Sequence, residues 1–183
     1  MKKVGALFIL GIGLVLLFGS PSAYAIPDWS FDTIPATGEV VGTPGTTVGW
    51  GYTISNPDPV NWLFVSGLSA DAFENGTPLV LFDFPLVGPG TLSVPYDGVN
   101  GLFALTWDAG APVGFVNSGT FILSADWYDG DPLAGGNFLQ AAPERSAAYS
   151  ATVTSPAVPE PASLFLLGSG LAGLVLLRKK FKS

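Results

Sequence analysis

The side chains available for chemistry are few, and nearly all of them are carboxylates. The sequence has no histidine and no cysteine, and between residues 26 and 161 its only lysine or arginine is Arg145. This composition excludes Ser-His-Asp and Cys-His nucleophile pairs, Schiff-base lysines and zinc sites with His or Cys ligands. Carboxylate pairs like those of glycosidases remain. With 14 acidic residues some carboxylate pair is inevitable, so such a pair is not evidence of a catalytic site. We therefore expect that the protein is not an enzyme.

The densest acidic cluster is Asp126-Trp127-Tyr128-Asp129-Gly130-Asp131. Calcium binds oxygen ligands, usually about six to eight of them, so Asp126, Asp129 and Asp131 are candidate ligands. Their spacing does not fit an EF-hand loop, and the alternative is a solvated hairpin turn. Apart from Ca²⁺, the sequence suggests no cofactor.

Two aromatic residues, Trp127 and Tyr128, lie within this cluster. Exposed aromatic faces can stack on the apolar faces of sugar rings, so these two residues are candidate ligand contacts. Most aromatics of the chain alternate along predicted strands, where packing in the core is the simpler interpretation. We expect Trp127 and Tyr128 to be the exposed exceptions.

The first 25 residues have the pattern of a secretory signal peptide. A basic start, Lys2 and Lys3, precedes an apolar run over residues 4–18 and the small residues Ala23 and Ala25. Signal peptidase reads such small residues, so we expect cleavage after Ala25. The alternative is a retained N-terminal anchor. A lipoprotein is excluded because its lipid attachment needs a cysteine.

A second apolar segment lies near the C-terminus, where residues 162–177 carry no charge. As a helix they would measure roughly 24 Å, somewhat less than the roughly 30 Å of a bilayer core. Basic residues beside a membrane segment stay on the cytoplasmic side. The pattern predicts a transmembrane helix whose preceding residues lie outside, oriented by Arg178, Lys179 and Lys180.

A carboxylate, Glu160, precedes this segment between Pro159 and Pro161. Both prolines lack a backbone donor and disfavour helix in the residue before them, so an extended and accessible peptide is expected. The run Val158-Pro159-Glu160-Pro161-Ala162-Ser163, with the glycine-rich apolar run and basic end, closely resembles the PEP-CTERM sorting signal of bacterial secreted proteins. Its Lys-rich tail with Phe181 is a mild departure from that family.

Membrane enzymes called exosortases process this signal in the family. The resemblance implies that an exosortase is a partner and that Pro159, Glu160 and Pro161 are processing residues. The alternative is an ordinary C-terminal membrane anchor with a proline-containing linker.

The region between the two terminal segments has one cation and 14 carboxylates from residue 26 to 161, a formal charge of −13. Nucleic acid is therefore not an expected partner, because its binding needs cationic side chains. Without cysteines no disulfide stabilises the fold, but about 130 residues can bury a core as one domain.

Hydrophobic periodicity in this region predicts strands and no helix. Alternating apolar residues occur over 48–54, 103–107 and 121–127. A late strand is predicted over 149–153. Continuous apolar runs at 62–65 and 79–82 are typical of strands covered on both faces. Turn signals separate them at roughly 10-residue spacing, which predicts an all-β domain, an antiparallel β-sandwich of immunoglobulin-like or jelly-roll topology.

The predicted organisation is a signal peptide over residues 1–25, a β-sandwich over 26–155 and a sorting signal over 156–183. Within the last, the motif spans 158–163, the transmembrane helix 162–177 and the basic end 178–183. We expect an exported, non-enzymatic protein that crosses the inner membrane and reaches the cell surface or extracellular matrix after processing. There it would associate with exopolysaccharide or biofilm, whereas an unprocessed chain would stay anchored. The alternative is a carbohydrate-binding module that uses Trp127 and Tyr128, with Ca²⁺.

Overall fold

A computed structural model describes residues 28–156 together with Leu166, Leu167 and Ser169. The last three have helical backbone and belong to the predicted transmembrane segment. Among the described residues, no helix has the length and apolar character needed to cross a membrane. The predicted signal peptide, the motif at 158–163 and the basic end lie outside the described residues.

Residues 28–156 form strands joined by turns and loops, with one short 3₁₀ turn at Pro132–Ala134. In chain order the strands are β1 (Ser30–Ile34), β2 (Glu39–Gly42), β3 (Thr47–Asn56), β4 (Trp62–Ala70), β5 (Gly76–Val80), β6 (Leu86–Val87), β7 (Gly90–Val94), β8 (Phe103–Trp107), β9 (Val116–Tyr128), β10 (Phe138–Ala141) and β11 (Arg145–Val153).

The strands make two sheets. The smaller sheet has the order β1-β3-β8-β5, with β7 also paired to β3, and the larger sheet has the order β2-β11-β9-β4-β6, with β10 also paired to β9. All pairs are antiparallel except β2 with β11, which is parallel. The prediction of an all-β sandwich is confirmed.

The core lies between the sheets because β3 and β9 have large apolar side chains at every second position. Trp50 of β3 and Phe121 of β9 are fully buried, and their ring centroids lie 5.4 Å apart in an edge-on arrangement. Tyr149 of β11 completes the cluster, with centroid distances of 5.4 Å to Trp50 and 4.5 Å to Phe121. The Trp50 indole N–H donates to the Gly38 carbonyl at 2.8 Å, so this large side chain is buried without an unmet donor.

The prediction that residues 79–82 form a strand covered on both faces is wrong. Strand β5 ends at Val80, and Leu79 and Val80 are exposed because β5 is the edge strand of the smaller sheet. Phe82 is buried, but it lies in the loop that crosses from this sheet to the larger one.

The run at residues 62–65 is a strand, with two different faces. Leu63 and Val65 of β4 are buried between the sheets, whereas Trp62 and Phe64 are half-buried on the outer face. The outer face of the larger sheet is therefore apolar at this point.

Asn56 fixes the neighbouring strand β6 in place. Its buried side-chain amide donates to the Val87 carbonyl at 3.1 Å and to the Asn61 carbonyl at 2.8 Å. A buried amide satisfied by two backbone groups holds their segments together, since separating them would leave a buried donor unpaired. The end of β3, the start of β4 and β6 are joined in this way.

Candidate functional site: an apolar cleft beside the acidic turn

An apolar cleft of about 320 Å³ lies on the outer face of the larger sheet. Its walls come from β4, from β6 and the loop before it, from the end of β9 and from the turn that follows β9. The lining residues are Phe64, Phe84, Leu86, Tyr128, Pro132 and Leu133. Three of the six are aromatic, so the cleft offers flat apolar surfaces to a ligand.

The register between β4 and β9 determines which side chains reach the cleft. Trp62 lies opposite Tyr128, and Phe64 lies opposite Asp126, all on the outer face. Phe64 is also paired with Leu86 of β6. Because side chains of paired residues project to the same side of a sheet, these neighbours form one continuous outer surface.

The prediction that Trp127 is exposed is wrong. Its side chain is 0% exposed, because β9 turns every second residue inward and Trp127 follows Phe121, Leu123 and Ala125 in that set. It lies opposite buried Leu63 in the register. Trp127 therefore belongs to the core, and its neighbour Tyr128, half-buried, is the aromatic that lines the cleft.

Phe84 lines the opposite wall from an unusual backbone conformation. Its φ is +53°, a region that bulky residues rarely adopt. The Phe84 ring lies 5.2 Å from the ring of buried Phe82, which in turn lies 4.9 Å from Tyr52, both edge-on. Tightly packed surroundings can hold such a conformation, and residues of this kind are concentrated at ligand sites.

Hydrogen bonds hold this loop at both ends. The Tyr52 hydroxyl donates to the Asp83 carboxylate at 2.9 Å, and the Val65 amide donates to the Pro85 carbonyl at 3.1 Å. Burial, together with the adjacent carboxylate, raises the pKa of Tyr52, so the hydroxyl stays protonated and remains a donor. Phe84 is therefore held between two bonded neighbours.

The acidic turn forms the rim of the cleft. Asp129 and Asn137 close the β9–β10 connection, since the Asn137 backbone amide donates to Asp129 Oδ1 at 2.6 Å. Within the connection, Asp131 Oδ1 accepts from the Leu133 amide at 2.8 Å and caps the 3₁₀ turn. Leu133, with 89% of its surface exposed, projects from this turn. The interpretation of the cluster as a solvated hairpin turn is in accord with this geometry.

The carboxylates proposed for calcium serve different partners. The pKa of Asp129 is lowered by hydrogen bonds from Asn137, and Asp131 caps the turn, while Asp126 lies on the outer face of β9. Among the described residues, no three or more His, Cys, Asp or Glu side chains come together in a way that could hold a metal ion. The calcium hypothesis gains no support from this part of the chain.

The β-sandwich has almost only negative charges. Arg145 is the only Lys or Arg between residues 26 and 161, and it is already engaged. Its guanidinium pairs with Asp28, donates from Nε to the Trp29 carbonyl at 2.7 Å, and lies 5.9 Å from the centroid of the Trp29 ring. The sandwich therefore offers no free cationic side chain within residues 28–156.

The predicted processing and orienting residues lie outside the described part of the chain. They are Ala23, Ala25, Pro159, Glu160, Pro161, Arg178, Lys179 and Lys180. The described chain does show where their segment starts: β11 ends at Val153, and the Thr154 amide donates to the Gly42 carbonyl at 2.7 Å. The C-terminal segment thus follows the last core strand after a few residues.

Residues 157–180 match the PEP-CTERM protein-sorting motif. The resemblance found in the sequence is confirmed: the C-terminal segment of the chain carries the PEP-CTERM sorting motif. This motif indicates an exported protein that an exosortase sorts. No curated protein matches the chain.

Three cohesins are similar solved structures. The sixth cohesin of scaffoldin B from Acetivibrio cellulolyticus, solved with a mutant Cel5 dockerin, has 15% identity and a TM-score of 0.26, over 67% of this chain and 98% of its own. The seventh ScaB type I cohesin from Pseudobacteroides cellulosolvens has 11% identity and a TM-score of 0.30, over 72% and 97%. A non-cellulosomal cohesin from Archaeoglobus fulgidus has 15% identity and a TM-score of 0.27, over 75% and 96%. Likeness at this level says nothing about partners of this chain.

Most of the cleft escaped the sequence prediction. Only Tyr128 was among the candidates, because the cleft is assembled from segments far apart in the chain. Two signals were available: the continuous apolar run at 62–65, which is unusual in an antiparallel strand with one solvent face, and the two aromatic residues Phe82 and Phe84 just before Pro85.

Proposed function

We propose that this protein is an exported, non-enzymatic component of the cell surface or extracellular matrix, associated with exopolysaccharide after an exosortase has released it. The observation that carries the proposal is the sorting motif at residues 157–180. Two further features support a non-catalytic body: the sequence lacks His and Cys, and the only cation between residues 26 and 161 is engaged by Asp28 and Trp29.

The two terminal segments have different functions in export. Ala23 and Ala25 direct removal of the signal peptide, and the apolar run with Arg178, Lys179 and Lys180 halts the chain in the membrane with its body outside. Pro159, Glu160 and Pro161 then serve only release. The sandwich reaches the surface once the exosortase has acted on them.

Replacing Pro159, Glu160 and Pro161 with alanine tests this division. Export and signal-peptide removal should proceed normally, because neither depends on the tripeptide, while the uncleaved protein accumulates in the inner membrane. Fractionation followed by immunoblotting measures the distribution. The matched control is the double replacement of exposed Ser155 and Pro156 by alanine, which should be released like the wild type. Normal release of the tripeptide variant would refute the assignment.

The cleft supports a second, compatible function, binding of carbohydrate. Tyr128, Phe64 and Phe84 supply aromatic surface on the outer face of the sheet, and sugar rings present apolar faces that pack against such surfaces. Tyr128→Ala should reduce co-sedimentation of the exported protein with the exopolysaccharide of its host. Val41→Ala, which alters an exposed apolar residue on the opposite edge strand β2, should leave it unchanged. Equal co-sedimentation of both variants would remove this function.

A further inference from the structure

We propose that the cleft selects sugars that carry a protonated amine, so that the ligand is a cationic, amine-bearing polysaccharide. This inference rests on the proposed carbohydrate-binding function of the cleft. It adds the chemical class of the ligand, which follows from how apolar surface and charge are combined at this site.

The floor of the cleft suits the ring of such a sugar. The cleft of about 320 Å³ is lined by Phe64, Phe84 and Tyr128 together with aliphatic side chains, a size at the lower end of small-ligand sites, roughly 300 to 1,000 Å³. Aromatic faces also attract cations, because the negative side of the ring quadrupole faces them. An ammonium group on a sugar ring therefore gains from the same surface that stacks the ring.

The lining residues of the cleft have aspartates as neighbours, either in the chain or across the strands. Each wall has an aspartate adjacent to a lining residue: Asp126 pairs with Phe64 across the strands, Asp83 precedes Phe84, Asp129 follows Tyr128 and Asp131 precedes Pro132. Arg145, the only Lys or Arg between residues 26 and 161, is engaged by Asp28 and Trp29 and so is not available to neutralise these carboxylates. Such a rim repels uronic acids and sulfated sugars and attracts an ammonium group.

Asp126 is the carboxylate best placed to pair with the amine. Asp83 accepts from Tyr52, Asp129 from Asn137 and Asp131 from the Leu133 amide. The hydrogen bonds found among the described residues leave the Asp126 carboxylate without a partner, and it shares the outer face with Phe64 and Tyr128. An ammonium group lying over the aromatic floor would meet this carboxylate first.

Calorimetric titration of the exported protein tests the proposal with two probes of equal length, a glucosamine tetramer and an N-acetylglucosamine tetramer. Both offer the same ring faces, and only the first carries amines. We expect the glucosamine tetramer to bind at least about tenfold more tightly at low salt, and this advantage to shrink as salt screens the rim. Asp126→Asn should remove most of the advantage and Tyr128→Ala should weaken both probes.

Glu39→Gln is the matched charge control, because it removes one carboxylate from the outer face of the same sheet at the opposite edge. It should keep the wild-type preference. Equal affinity for both tetramers, or equal effects of Asp126→Asn and Glu39→Gln, would overturn the inference while leaving carbohydrate binding intact. A tetralysine peptide that binds as tightly as the glucosamine tetramer would also overturn it, in favour of a protein partner. None of these results bears on release by the exosortase, which fractionation measures separately.

Discussion

Phe84 combines a ring that lines the cleft with a backbone conformation that favours glycine. The left-handed region costs an ordinary residue about 1–2 kcal/mol relative to the right-handed one, and glycine avoids this cost. Phe84→Ala and Phe84→Gly lose the same ring contact with Phe82, so we expect the glycine variant to be more stable by about 1 kcal/mol. Urea denaturation measures the difference.

Asn75 is the control for this prediction, because it also has a positive φ, +54°. Asparagine tolerates the left-handed region better than bulky residues do. Replacing Asn75 with glycine should therefore raise the free energy of unfolding less, relative to the wild type, than relief of strain at Phe84 does. If Phe84→Ala and Phe84→Gly unfold at the same urea concentration, the backbone at this position is not strained.

Asp97 closes the loop between β7 and β8 with three hydrogen bonds. Its Oδ1 accepts from the amides of Asn100 at 2.7 Å and Val99 at 2.9 Å, and its Oδ2 accepts from the Asn100 side chain at 2.8 Å. These bonds lower the pKa of Asp97 to about 2 from its ordinary 3.8. Because the folded value is the lower one, the stabilisation is present above pH 3.8 and is lost as the pH falls through about 2.

Asp97→Asn should therefore flatten the loss of stability with acid. Its melting temperature should fall less steeply than that of the wild type between about pH 4 and pH 2, since the variant has no proton to take up there. Glu39→Gln, at an exposed strand position, should follow the wild-type curve more closely. An Asp97→Asn curve parallel to the wild type would mean that this carboxylate does not contribute to acid sensitivity.

At the scale of elements, β3 depends on glycine for its close contact with the chain after β7. A Cβ added at Gly51 would lie 2.7 Å from the Cα of Pro95 and even closer to the Val94 carbonyl oxygen. Both obstacles are backbone, which cannot rotate away. Gly51→Ala should therefore destabilise the sandwich by about 1–3 kcal/mol, the usual cost of overpacking. Gly110→Ala is the control, because a Cβ there meets nothing within 4 Å, and chemical denaturation of both variants gives the comparison. Equal stability would show that β7 and its loop can shift.

The sequence predicted strands from alternation in β3, β8 and β9, from a continuous apolar run in β4 and from a late run in β11. Strands β3, β8 and β9 contain the predicted spans, because large apolar residues at every second position leave only one way to bury them. Strands β1, β2, β6, β7 and β10 were missed, since two to five residues with one or two large apolar side chains give too weak a pattern. The exposure of β5 was mispredicted because β5 is an edge strand. The order of strands in a sheet cannot be read from the apolar pattern of one strand.

The cleft was predictable only in part, because periodicity within one strand does not show which strands and loops lie next to each other. The alternation that identified β9 also placed Trp127 with the core-facing residues, so its burial could have been deduced from Phe121, Leu123 and Ala125. By contrast, Phe64, Phe84 and Leu133 line one cleft only because β4 pairs with β9 and two loops take particular paths. Periodicity carries no information on either.

At the scale of the whole molecule, charge separates the chain into parts with different tasks. Six of the seven basic residues lie in the two terminal segments, whereas the region from 26 to 161 carries a formal charge of −13. The terminal cations suit membrane orientation. The anionic sandwich suits a hydrated exterior and a ligand of opposite charge.

The central claim is that the C-terminal segment is a sorting signal that is removed. The most direct measurement is the intact mass of the protein recovered from the surface fraction of a host with an active exosortase. We expect the mass of a chain that begins at Ile26 and lacks the residues after the tripeptide, so that the missing part starts near Pro161. A surface protein that still ends at Ser183 would show that the segment is a permanent anchor, and it would contradict the account.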